Sequence, residues 1–422
     1  MSSSEQLLNK QEGISNTGIR KQATVWLMII GIIFIAANLR APLTSVGPLV
    51  SLIRDNVHIS NTLAGLITTV PLIAFALLSP FVPKLGQKYS VERIILISLI
   101  ILSTGIAVRS LSGALTLYMG TAILGFAITM CNVLLPSLIK REFPQQMGMM
   151  TGVYSVSMNL CGAIASGISV PLAVGAGLNW QGALGIWGIL SIVSILFWIP
   201  QLKNPAQPAV VASSAANNPQ VKIWHSPLAW QVTLFMGIQS AIFYVLVAWL
   251  PEILKDQGIS SSQSGWFLSV MIMASLPFAF IVPVMAGRMS NQRILVVITA
   301  TLLLTGTLGL LYSSIHLLLF WVIILGIGGG FAFGLSMMFF GLRTQSAQQA
   351  AELSGMAQSI GYLLAALGPA LIGYLHDASH SWSTPLLIMA GASALLGIVG
   401  LGAGRNQFVG AAHLKNHHHP SH

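Results

Sequence analysis

Charge is what this 422-residue sequence has least of. Only 7% of its residues are Asp, Glu, Lys or Arg, against about 25% in soluble domains. Acidic residues are the scarcest, with nine in all: Glu5, Glu12, Asp55, Glu92, Glu142, Glu252, Asp256, Glu352 and Asp377. Each falls in a tail, in a loop or at the end of an apolar run, so no carboxylate is placed in the middle of one. Two cysteines, Cys131 and Cys161, both inside apolar runs, support neither a disulfide framework nor a metal site and read as buried packing. No GxxxxGK[ST] occurs, which excludes a P-loop ATPase. The net charge of +10 comes from basic residues scattered in ones and twos, so no nucleic-acid face is expected.

What the sequence does have is apolar length. Hydrophobic residues make up 55% of it, and the mean hydropathy is +0.81. A bilayer span needs about 20 mostly apolar residues. Twelve such runs occur, at 24–52, 61–82, 93–111, 115–139, 147–173, 180–200, 228–250, 263–285, 293–313, 317–342, 353–375 and 382–403. The expected fold is therefore an all-α membrane protein of twelve transmembrane helices in two six-helix halves. The expected layout is an N-terminal tail (1–23), a first half (24–200), a linker (201–225), a second half (226–404) and a C-terminal tail (405–422). The polar start and the long first run indicate an uncleaved span rather than a signal peptide. KNPAQPAVVASSAANNPQVK (203–222) has the composition of a flexible linker. The NHHHPSH end (416–422) reads as a tail rather than a metal site.

The halves repeat one another. PKLGQKYSVERI (83–94) and PVMAGRMSNQRI (283–294) align at an offset of 200, with Pro83 matching Pro283 and Arg93 matching Arg293. Farther along, Arg141 matches Arg343 and Trp180 matches Trp382. A parallel six-span repeat is a transporter pattern, with its binding site between the halves. If both tails are cytoplasmic, fifteen of the nineteen Lys and Arg residues lie on the inside and only Arg54, Arg109 and Lys255 on the outside. This bias sets the orientation. The nineteenth, Arg40, falls inside the first span.

Twelve spans, two halves, a long central loop and a basic loop between spans 2 and 3 resemble the major facilitator superfamily over about residues 24–404. More narrowly, ANLRAPLTSVGPL (37–49), NVLLPSLIKREFP (132–144), SPLAWQVTLF (226–235) and LSGMAQSIGYLLAALGP (353–369) are similar to the cyanate/nitroimidazole permease group. The resemblance implies alternating access by rocking of the halves, in a bacterial inner membrane, with spans 1, 4, 7 and 10 lining the cavity. Two departures stand out. The aspartate usual in the loop between spans 2 and 3 is Gln87 here, and its repeat mate is Gly287. Span 5 (YSVSMNLCGAIASG, 154–167) also lacks the GxxxGPxxGG pattern of proton-driven drug antiporters, so their mechanism is not carried over.

Arg40 carries the sharpest functional expectation. An arginine at the centre of such a helix costs roughly 2.5–3.5 kcal/mol on insertion scales, and no carboxylate is placed to neutralise it. On a helix, Arg40 shares a face with Thr44, while Asn38 belongs to another. Either Arg40 binds an anionic or dipolar solute through its forked donors, or it caps carbonyls freed near Pro42 and Pro48. Other candidate substrate contacts are Asn132 in span 4, Gln239 and Tyr244 in span 7, and Gln358 with Tyr362 one turn apart in span 11. Each has a packing or interhelical hydrogen-bond alternative. Phe331, Phe333, Ser336 and Met337 could supply apolar wall. The Gly-rich GIGGGFAFG (326–334) reads as close packing or a bend. Lys88, Arg93, Arg141, Arg288, Arg293 and Arg343, at the cytoplasmic ends, are expected to orient the chain and to join any gating network.

The expected function is a secondary transporter of a small anionic or nitro-bearing solute. The expected partners are that solute and the lipid bilayer, with no cofactor and a monomeric state. With histidines only near span ends, uniport or exchange is favoured over direct proton symport. A transporter-fold nutrient sensor is the alternative. An intramembrane enzyme would need catalytic residues at depth, and the only close pair, His376–Asp377, sits at the end of span 11.

Overall fold

A computed structural model describes residues 25–59, 61–203 and 223–410. The expectations for the N-terminal tail, for most of the linker and for the His-rich end lie outside these residues.

Among the described residues eleven helices are long and apolar enough to cross a bilayer: Val25–Leu49 (span 1), Val91–Arg109 (3), Ala114–Glu142 (4), Pro144–Gly175 (5), Asn179–Leu202 (6), Pro227–Asp256 (7), Gln263–Arg288 (8), Arg293–Tyr312 (9), Ile315–Leu342 (10), Ala347–Ser379 (11) and Ser383–Ala403 (12). The remaining expected span, 61–82, differs from a straight rod. It is bent by 55° between Leu66–Leu78 and Val82–Lys88 and counts as span 2. Pro80 and Pro83 account for the bend, since each removes a backbone donor and its ring blocks the preceding turn. Span 1 is likewise not one rod. Its α-helix ends at residue 44, and a 3-10 turn, Gly47–Leu49, leads into a short helix, Val50–Val57.

The outer surface carries many large apolar side chains. Leu77 is 64% exposed and Ile398 70%, which is stable only where lipid chains replace water. Inside each half, spans 3 and 4 pack together, as do spans 7 and 11, 8 and 10, and 9 and 12. Between halves, span 8 packs on span 5, and span 11 packs on spans 2 and 4.

Span 1 begins and span 12 ends on the same side, the tail face, and there the halves are in tight contact. A Cβ on Gly148 would lie 2.5 Å from the Pro283 carbonyl oxygen, and one on Gly287 would lie 3.1 Å from Gly148 Cα. Only glycine allows backbones that close, which gives a physical reason for Gly287 at the place of the usual acidic residue. Gln87, at the matching place, donates to Glu352 Oε1 of span 11 at 2.9 Å. Lys140 at the end of span 4 donates to Gly341 O at 2.7 Å and to Thr344 Oγ1 at 2.9 Å, and it also reaches Thr344 O. Its ammonium thus sits at the C-terminal, negative end of span 10.

The basic residues at matching span ends behave as repeat mates. Arg141 pairs with Glu92 in the first half, and Arg343 donates to Gln292 in the second. Glu92 and Gln292 lie at the same offset of 200 in the sequence. Arg343 also donates to Ala403 O at 2.7 Å, and burial lowers its pKa to about 10, leaving it charged at neutral pH. Both arginines tie elements within their own half. Lys88 lies over the Tyr89 ring, Arg293 donates weakly to Leu401 O at 3.4 Å, and Arg93 and Arg288 are exposed.

Arg109, expected on the outside, stands at the end of span 3 away from the tail face and is completely buried. Its Nη1 donates to Pro42 O at 2.7 Å, so it caps the end of the span 1 helix from span 3.

Candidate functional site

Opposite the closed tail face lies a cavity of about 760 Å³. It is lined by the far halves of spans 1, 2, 5, 7, 8 and 11, with Arg109 of span 3 and Thr121 of span 4, so it faces away from the tails. At its inner end stands Arg40. A second, narrower chamber of about 50 Å³ runs from Arg40 into the second half, between spans 7, 8 and 10. Arg40, Asn159, Phe243, Tyr244 and Ile272 line both spaces, which makes Arg40 the neck between them.

Helical periodicity aims Arg40 there. Asn38, two residues earlier, turns toward span 6, where its Nδ2 donates to Ser194 Oγ at 2.6 Å and to Phe34 O at 2.9 Å. Arg40 turns instead to span 5, where Nη2 donates to Asn159 Oδ1 at 3.2 Å. Asn159 is held by its own Nδ2 donating to Ser155 O at 2.8 Å. The Arg40 stem packs on Gly162, where a Cβ would come within 2.5 Å of Arg40 Cγ. Thr44 closes the same side by donating to Gly162 O at 2.7 Å. The guanidinium carbon lies 5.5 Å from the Phe243 ring centre, an attractive cation–π distance. Tyr154, Tyr244 and Tyr362 stand around it within electrostatic reach. Among the described residues no carboxylate pairs with Arg40. A neutral amide and aromatic rings orient this charge without cancelling it.

The other expected contacts divide. Thr44 and Tyr244 line the large cavity; Gln239, Tyr244 and Tyr362 line the chamber. Gln239 Nε2 is engaged by Ser240 Oγ at 2.8 Å, and Tyr362 packs at a tilt of 57° against Phe75 with ring centres 4.8 Å apart. Asn132 and Gln358 line neither space. The Gln358 amide donates across the halves to the Asn132 backbone oxygen at 3.0 Å, and Asn132 Oδ1 accepts from Tyr154 Oη at 3.3 Å. Phe333 lines the chamber, whereas Phe331 stacks on Phe278 and Ser336 donates to Ala332 O. His376 and Asp377 are a loose contact of 3.3 Å at the far end of span 11, with Asp377 largely exposed.

Asn159 was not among the expected site residues, although a signal for it exists. Ser155, Asn159, Gly162 and Ser166 recur at helical spacing in span 5, a stripe of small and polar side chains with no need to face lipid.

The comparisons agree with this architecture. The profile of the Major Facilitator Superfamily matches residues 26–366 and 244–406. An uncharacterized transporter, YycB, of Bacillus subtilis (strain 168) is 46% identical over 391 residues, covering 92% of this chain and 96% of its own. A 2-nitroimidazole transporter of Escherichia coli (strain K12) is 41% identical, covering 90% and 96%. The cyanate transport protein CynX of the same organism is 28% identical, covering 84% and 91%. Among solved structures, the proton:xylose symporter XylE superposes with a TM-score of 0.73 over 92% of this chain and 98% of its own, at 10% identity, a likeness of fold alone. A twelve-span bundle closed on one face, with a polar neck between its halves and close relatives along nearly its whole length, makes this chain a transporter of the Major Facilitator Superfamily, in the group that holds the 2-nitroimidazole and cyanate transporters.

Proposed function

We propose that the chain carries a small anionic or strongly dipolar solute, cyanate-like or 2-nitroimidazole-like, and that Arg40 is its anchor. The observation that carries this reading is a guanidinium at the neck of the cavity whose hydrogen-bond partners, Asn159 and Tyr244, are neutral, with no carboxylate beside it among the described residues. A charge there needs an anion or dipole from outside to offset its desolvation. Nitro, carboxylate and cyanate groups all present acceptors that suit a forked donor. The relatives' substrates belong to that chemistry.

The tails and the linker lie in the cytoplasm of a bacterial inner membrane, in keeping with the basic bias of the sequence. The cavity then opens outward, and the first half (24–200) rocks against the second (226–404) to expose it inward. Among the described residues no carboxylate lines either space, which supports uniport or exchange over direct proton symport. A monomer suffices, since the neck is built within one chain. Purified protein in liposomes, loaded with unlabelled solute and offered labelled 2-nitroimidazole or cyanate, tests transport directly. Counterflow above empty liposomes is expected. Solute binding without flux would instead make the chain a sensor on a transporter fold.

A further inference from the structure

The Gly-rich stretch of span 10 has one member whose smallness packing does not explain. A Cβ on Gly326 would lie 2.2 Å from Met271 O, on Gly330 2.4 Å from Ser275 O, and on Gly334 2.8 Å from Pro283 Cδ. These three, spaced four apart, let span 10 lie against span 8. Gly328 likewise meets Leu302 and Leu303 of span 9 at 3.1 and 3.0 Å. Gly329 meets nothing within 4 Å, and it lines the chamber that runs inward from Arg40.

Beyond Arg40 and Asn159 at its mouth the chamber walls are mostly apolar, with the Gln239 amide and the Ser240 hydroxyl bonded to each other. Phe243, Met271, Ala279, Leu325 and Phe333 contribute to them. The hydroxyl of Ser275 on the same wall already donates to Ile272 O at 2.7 Å. A cavity of about 50 Å³ exceeds the ~10–15 Å³ that one water requires, and it falls short of the ~150 Å³ cavity known to hold benzene. It suits the edge of a flat ring or a few carbons rather than a bulky group.

We propose that this chamber is a second subsite, which seats the apolar part of a solute whose charged or dipolar group is on Arg40, and that Gly329 sets the size it admits. The inference rests on Arg40 as anchor. It narrows the substrate class to solutes with a polar head and a small, flat or short apolar body.

The test is a ligand series at constant head group, from formate through acetate and butyrate to benzoate, with nitrate as a headgroup-only reference. Affinities are measured on purified full-length wild type, Gly329→Ala, Gly329→Val and Arg40→Ala. In the wild type each methylene seated in the chamber is expected to tighten binding about fourfold, the equivalent of ~0.8 kcal/mol. Gly329→Val is expected to abolish that increment while nitrate and formate bind within about twofold of wild type. Gly329→Ala should fall between. An unchanged increment in Gly329→Val overturns the subsite. So does a uniform loss across the series in Gly329→Ala, which would mark the glycine as a bend. Arg40→Ala separates the two ideas: if it binds formate and nitrate like wild type, the anchor fails, whatever Gly329 does.

Discussion

Arg40 donates through Nη2 to Asn159 Oδ1 at 3.2 Å, joining span 1 to span 5 across 119 residues of sequence. An amide can hold a guanidinium in place without neutralising it, and this difference from a carboxylate is testable.

Replacing Asn159 by Asp puts a fixed negative charge where the neutral acceptor stands. The resulting ion pair should compete with any anionic solute. Close charge pairs couple by about 1.5–7 kcal/mol where water is excluded, so anion affinity should fall at least about tenfold. Thermal stability without ligand should hold or rise. Titration of nitrate against wild type and N159D, with melting curves beside it, reads both. Undiminished affinity would mean that the anion does not meet Arg40.

Gly162 carries a second prediction. Its Cβ would lie 2.5 Å from Arg40 Cγ, so Gly162→Ala must push the arginine stem aside. Overpacking of this kind costs about 1–3 kcal/mol, and a side-chain stem yields more readily than backbone. The loss should appear as weaker solute binding, about tenfold, more than as unfolding. Gly167→Ala, with open space around its Cβ, is the control and should behave as wild type.

The tail-face contacts give a third. Lys140 holds the C-terminal end of span 10, and Gln87 donates to Glu352 at 2.9 Å. Interhelical hydrogen bonds in membranes average about 0.6 kcal/mol each. The Lys140 bonds to Gly341 O and Thr344 Oγ1 together contribute about 1.2 kcal/mol, so Lys140→Met should shift the population toward the tail-open form by roughly eightfold. Gln87→Asp restores the acidic residue usual in the superfamily, yet here it would face Glu352, and like charges that close repel. It should open the tail face as well, with Glu352→Gln reversing the effect. A cysteine at the buried position Ser354, in a background lacking Cys131 and Cys161, reports opening as faster maleimide labelling. Slower labelling in both variants would contradict the latch.

Much of the fold was legible because lipid imposes one simple rule. Any backbone crossing it must be a long apolar helix, so the span positions could be read from composition. The repeat was legible too, and it reappears as geometry: Arg141 reaches Glu92 where Arg343 reaches Gln292. Helical period alone separated Asn38 from Arg40, and the two face Ser194 and Asn159 respectively.

The remainder depended on neighbours distant in sequence. Gln358 and Gln239 are the same residue type, each inside an apolar span. Only packing decides that Gln358 bonds the Asn132 backbone while Gln239 lines the chamber. Arg109 resembles an interfacial arginine until the Pro42 carbonyl, 67 residues earlier, is placed beside it. Gly329 differs from its neighbouring glycines only in what its Cβ would fail to meet.

The most direct measurement is ligand-induced thermal stabilisation of purified wild type and Arg40→Ala, with cyanate, nitrate, small carboxylates and 2-nitroimidazole. Stabilisation grows with the ratio of ligand concentration to dissociation constant, by about 2.7 kcal/mol at a hundredfold ratio, so millimolar ligand reveals weak binding. An arginine anchor predicts at least one ligand that raises the melting temperature of wild type and leaves Arg40→Ala unmoved. Equal stabilisation of both proteins by the same ligand would contradict it and make Arg40 a structural residue.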